Sequence, residues 1–161
     1  MIIISDTSPI INLAMINRLD LLPQLFGEVI IPQSVYEEIT IKGKGEPGEV
    51  EIKNADWIKV IKCKNLELVS ELEQILNSGE SESIALAMGF KNSILLIDES
   101  EGRKVAKQYN IKVLGLLGIL LQAKKMDLIQ SVKVVMDDLI HHAGFWVNEE
   151  LYMRILKIAN E

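Results

Sequence analysis

Short apolar runs alternating with helical stretches predict an α/β fold, a parallel sheet covered by helices on both faces. Two observations carry this. Each of the runs IIIS at 2–5, EVII at 28–31 and ILLI at 94–97 is followed by a helix signal. ILLI is apolar throughout, as a strand buried on both faces must be. The 161 residues suit one domain spanning 1–161, long enough to bury roughly two-thirds of the surface an unfolded chain exposes.

Taken in order, residues 2–5 form a strand, and an Asp-Thr-Ser-Pro turn leads into an apolar helix over Ile10–Ile16. After EVII, Pro32 ends the strand, and Gln33 and Ser34 open a helix through Val35 and Ile39. KGKGEPGE at 42–49 has no apolar period and reads as an exposed, mobile loop over the substrate side. WIKVI at 57–61 reads as an edge strand. Leu66, Val69, Leu72, Ile75 and Leu76 mark one helical face, which Gly79 breaks. A helix follows over Glu80–Phe90, then the strand ILLI with Asp98 at its carboxyl end. A helix over Ser100–Tyr109, a short strand at Lys112–Leu114, and helices near 116–125, 128–142 and 149–159 complete the chain. No repeat or linker divides it.

Composition narrows the functional classes. Apolar residues make up 48% of the chain, but no run approaches the ~20 needed to cross a bilayer. The start, MIIISDTSPII, lacks the basic region and cleavage site of a signal peptide. A cytoplasmic protein is expected. Cys63 is the only cysteine, so neither an intrachain disulfide nor a cysteine zinc site can be assembled. His141 and His142 are adjacent and lack the i, i+4 spacing of a helical zinc pair. A net charge of −6 argues against a broad basic surface for nucleic acid, so any such site must be local.

The chemistry lies in the carboxylates. Hard divalent ions take oxygen ligands, typically one or two carboxylates with waters and phosphate oxygens. Open parallel sheets place their sites beyond the carboxyl ends of the strands, where Asp6 and Asp98 both fall. Asp6 would serve equally as a cap for the next helix. At about 100° per residue, Glu38 borders the apolar face set by Val35 and Ile39, while Glu37 points to solvent. Glu80 lies one turn before Ile84 on the buried side of its helix, ahead of Glu82 as a candidate, though acids are favoured in any first helical turn. Glu99 and Glu101 compete locally with Asp98. Arg103 could meet a phosphate or simply be solvated, and Phe145 and Trp146 could stack on bases or anchor the last helix.

Six segments resemble the PIN domain superfamily, in a branch of small prokaryotic proteins related to the toxin nucleases of type II toxin–antitoxin pairs. They are SDTSPII at 5–11, IPQSVYEEI at 31–39, GESESIALA at 79–87, LIDESEGR at 96–103, LGLLGILLQAKK at 114–125 and GFWVNEELY at 144–152. The resemblance implies a three-layer α/β/α sandwich and a Mg2+- or Mn2+-dependent endoribonuclease acting on RNA. It puts the acids on Asp6, Glu38 and Asp98, with Glu80 or Glu82 as a further ligand and Thr7 or Ser8 assisting through a hydroxyl. It also implies an antitoxin partner and a homodimer, for which the helix around Leu116, Ile119 and Leu120 offers an apolar contact. Two other classes compete: a phosphoacceptor domain, against which Ser8 breaks the D-x-D pattern, and a module that binds RNA or protein without cleaving.

Overall fold

The computed structural model describes residues 1–161. Five strands form one parallel sheet: β1 Ile2–Ser5, β2 Val29–Pro32, β3 Ile58–Ile61, β4 Ser93–Leu96 and β5 Lys112–Leu114, in the order β3-β2-β1-β4-β5. Helices cover both faces, giving a three-layer α/β/α sandwich. The registers Ile4 with Ile30 and Ile4 with Leu95 put the most apolar runs at the centre, while the predicted edge strand β3 pairs only with β2.

Because successive strand residues face opposite sides, each central strand feeds two cores. Ile3, Val29, Ile31 and Leu96 join the larger cluster, whose helical members come mostly from α1 (Thr7–Met15), α2 (Leu21–Phe26), α8 (Leu116–Lys125), α9 (Val132–His142) and α10 (Glu149–Ile158), with Val35, Ile39 and Ile52 added from the helical segments between β2 and β3. Ile4, Ile30, Leu95 and Ile97 join the smaller one, covered by α5 (Leu66–Leu72), α6 (Ser78–Met88) and α7 (Ser100–Gln108). The helix α3 (Gln33–Glu37) continues as a π-helical turn over Glu38–Lys42, and α4 spans Glu49–Asn54.

Several expectations change in detail. Helix α1 begins at Thr7 rather than Ile10, because Pro9 sits in its first turn, where a missing N–H costs nothing. Gly79 does not break a helix; it lies inside α6, which starts at Ser78 behind the cap Asn77. The segment 42–49 is mostly exposed, as expected, with Gly45 N–H donating to the largely buried Glu49 carboxylate at 2.8 Å where α4 begins. Leu116, Ile119 and Leu120 are fully buried in the larger core, so they offer no surface for a second copy. Phe145 packs against that core, whereas Trp146 is 79% exposed.

Candidate active site

Strand order reverses its winding between β1 and β4, the switch point at which open α/β sheets leave a crevice at their carboxyl edge. A cleft of about 440 Å³ opens there, lined by Asp6, Thr7, Ser8, Glu38, Ile75, Leu76, Asn77, Glu80, Glu99, Ser100 and Glu101. None of these is basic.

Asp6 follows β1 directly and its N–H donates to Leu96 O at 2.9 Å, which holds the chain to β4 at the mouth of the crevice. Although it occupies the cap position of α1, its side chain makes no capping hydrogen bond, and it is 4% exposed. The capping alternative therefore does not account for it. Burial pushes its carboxyl up to about 7, reinforced by Glu80, Glu38 and Glu99 and opposed by the Thr7 N–H.

Glu38 stands where α3 loosens into its π-helical turn, an irregularity often found at functional sites. Its Oε2 accepts a hydrogen bond from Thr7 Oγ1 at 2.8 Å. Glu37 is exposed and accepts instead from Gln33 Nε2, as the helical period requires.

Glu80 has two jobs. Its N–H donates to Asn77 Oδ1 at 2.8 Å and its Oε1 accepts from Asn77 N–H at 3.3 Å, closing a capping box at the start of α6. The same side chain reaches the cleft, where burial first, and then Glu99 and Glu38, raise its carboxyl above the usual range.

Gly79 and Gly102 make the crowding possible. A methyl group on Gly79 would lie 3.2 Å from Asp6 Oδ1 and 3.3 Å from Glu38 Oε2, so one small volume touches both acids. One on Gly102 would lie 2.8 Å from Glu80 Oε2, so α7 also closes on the cluster.

The remaining candidates are placed otherwise. Glu82 borders a neighbouring depression with Glu37, Lys42 and Glu73, which shares Glu38 with the main cleft. Asp98 does not line the cleft, contrary to the expectation that it joins Asp6 and Glu38: its Oδ1 accepts from Leu116 N–H at 2.9 Å at the start of α8. Burial drives its carboxyl up to about 6, with the Leu116 N–H and Arg103 opposing and Glu99 adding to the rise. Arg103 is occupied, its Nη1 donating to Ile97 O at 3.1 Å. Glu99 and Glu101, read from sequence only as competitors, both line the cleft from the β4 end, and Glu99 is the one that raises the Asp6 carboxyl. Ile75 and Leu76, read only as part of a helical face, form its apolar wall.

The donor set suits a hard divalent ion: Asp6, Glu38, Glu80 and Glu99 supply only oxygen, and no cation in the cleft wall neutralises them. No three of the acids stand close enough around one point to enclose an ion as they are. A Mg2+ ion would need only one or two of these carboxylates, with retained waters filling the rest of its shell. Ser8 Oγ is buried at the cleft without a hydrogen-bond partner, which leaves a polar group free for a water or a ligand oxygen.

A parallel α/β/α sandwich with an acid-rich cleft at its switch point defines the class of α/β domains that carry a strand-end carboxylate cluster. The family model DUF3368, a PIN domain, matches residues 2–161. The chain belongs to this family, and PIN domains are generally nucleases that use divalent metal ions. No curated protein and no solved structure matches it, and no helix is long and apolar enough to cross a membrane.

Proposed function

We propose that this chain is a Mg2+- or Mn2+-dependent endoribonuclease that hydrolyses RNA phosphodiester bonds at the cleft of Asp6, Glu38, Glu80 and Glu99. The observation that carries the reading is the burial of Asp6 among three other carboxylates with no cationic side chain on the cleft wall. Such an arrangement is costly in its charged form without a cation, which favours binding one.

When bound there, a divalent ion supplies a nucleophilic hydroxide near neutral pH and neutralises charge that develops on the phosphate. The acids hold and orient; they do not attack. Asp6, fixed by its strand, sets the depth of the site. Thr7 steers Glu38 by hydrogen bond, and the capping box steers Glu80. Ile75 and Leu76 add apolar surface to the cleft wall. Glu82, beside Glu38 in the adjoining depression, is a secondary position along the same acidic surface.

The toxin role, an antitoxin partner, a homodimer and a cytoplasmic location belong to the same reading. The toxin role, the antitoxin and the homodimer rest on the resemblance to toxin nucleases and are tested by inspecting the neighbouring reading frame and by light scattering; the location rests on composition alone and is tested by cell fractionation. The deciding experiment is cleavage of a mixed RNA pool in Mg2+, in Mn2+ and in EDTA by the parent chain and by Asp6→Asn. Cleavage that needs the ion and disappears in the variant supports the reading. Cleavage that persists in EDTA or in Asp6→Asn removes the metal-nuclease reading, and no cleavage by the parent under any condition favours a module that binds without cutting.

A further inference from the structure

We propose that Asp98 is a positioning residue that acts through Glu99: it anchors the β4–α7 turn to the start of α8 so that Glu99 faces the acid cleft. The inference rests on the metal reading above.

Helix α8 begins at Leu116 behind Gly115, a cap residue with no side chain to satisfy the first helical N–H groups. Asp98 supplies the acceptor from 18 positions earlier, through its Oδ1. Its negative charge also meets the positive end of α8. A methyl group on Gly115 would lie 2.9 Å from Asp98 Oδ1 and 2.5 Å from Arg103 Nη1, so a larger residue there would have to displace both side chains.

The rest of the turn is held by the same neighbours. Ile97 N–H donates to Leu114 O at 3.1 Å, Ile97 O accepts from Arg103 Nη1, and Glu99 O accepts the first helical bond of α7 from Arg103 N–H at 2.9 Å. Residues 97, 98 and 99 are thus fixed by three partners from β5, α7 and α8. With Asp98 Oδ1 held by α8 and its Oδ2 buried without a partner, the adjacent Glu99 lines the cleft, followed by Ser100 and Glu101. Asp98 is conformational support of the kind that orients ligands and whose loss weakens metal binding about tenfold or more.

The test uses the full chain with Mn2+ as the probe, read by electron paramagnetic resonance, beside thermal melting and Leu116 amide exchange. Asp98→Asn keeps the Oδ1 acceptor and is expected to hold Mn2+ within about threefold of the parent. Asp98→Ala removes the acceptor and is expected to speed Leu116 exchange and weaken Mn2+ about tenfold in protein that is still folded. Glu99→Gln is expected to weaken Mn2+ without changing Leu116 exchange. If Asp98→Asn lost Mn2+ as severely as Glu99→Gln, Asp98 would be a ligand and the proposal would fall. It would fall equally if Asp98→Ala bound Mn2+ like the parent. Should neither aspartate variant fold, Gly115→Ala crowds the same Oδ1 while deleting no carboxylate, and parent-like Mn2+ binding and Leu116 exchange in it would overturn the proposal. A parent that bound no Mn2+ would sink the metal reading and this inference together, which separates that failure from the others.

Discussion

Thr7 Oγ1 donates a 2.8 Å hydrogen bond to Glu38 Oε2, joining the residue after Asp6 to an acid 31 positions later. The bond crosses from the first residue of α1 to the π-helical end of α3, and it holds one carboxylate of the cleft through the side chain next to another. Thr7→Val keeps the shape and removes the donor. It should lower stability by about 1 kcal/mol, seen as a melting temperature ~2–4 °C lower for a chain of this size. Metal affinity should fall severalfold, because Glu38 is then free to turn away. Unchanged calorimetric binding would mean that the threonine steers nothing.

Asp6 makes stability depend on pH in a definite direction. Its carboxyl rises from 3.8 to about 7 on folding, so between those values the native state keeps a proton that the unfolded chain has released. Stability from this group is therefore fully present below pH ~4 and is lost as pH rises to about 7, by at most ~1.4 kcal/mol per pH unit. Asp98, raised to about 6, and Glu80 act in the same sense. Metal-free protein should melt lower at pH 8 than at pH 5. Asp6→Asn should melt higher than the parent at pH 8 and show a shallower slope, while losing RNA cleavage. A variant that melts lower than the parent at pH 8 would show that Asp6 contributes to folding in its charged form.

Gly79→Ala isolates the effect of space. Alanine is favoured over glycine inside a helix by about 1 kcal/mol, yet its methyl would press on Asp6 Oδ1 and Glu38 Oε2. Melting should change by no more than a few degrees, while Mn2+ affinity drops severalfold. Titration of both proteins followed by calorimetry checks this, and equal affinities would show that the acids have room to spare.

Glu80 and Glu82, two residues apart, should differ. Glu80→Gln keeps an acceptor for the capping box and removes a charge from the cleft, so folding should hold while metal affinity falls about tenfold or more. Glu82→Gln changes only the adjoining depression and should alter affinity less than threefold. The order of the two effects, measured by the same Mn2+ titration, decides which acid belongs to the centre.

Much of this was legible in the chain because it depends on local periods. Alternation along IIIS and ILLI assigns Ile3 and Leu96 to one core and Ile4 and Leu95 to the other, as side chains on a strand must divide. The helical period separates Glu38 from Glu37 by geometry within a single turn. Strand-end acids and the order of βα units place Asp6 at the carboxyl edge of a parallel sheet without reference to any distant residue.

Other features were set by partners that sequence spacing does not reveal. The α8 stripe of Leu116, Ile119 and Leu120 is apolar whether it meets α9 or a second copy, and only packing shows that the chain buries it itself. Gly79 reads as a helix breaker until Asn77 and Glu80 close their capping box around it and two acids occupy the space a side chain would need. Asp98 and Glu99 both follow β4, and no local period says which of them enters the cleft. The choice is made by Leu116 N–H, 18 residues further on, because an unpaired N–H at a buried helix start needs an acceptor, and Asp98 is the carboxylate the fold brings to it.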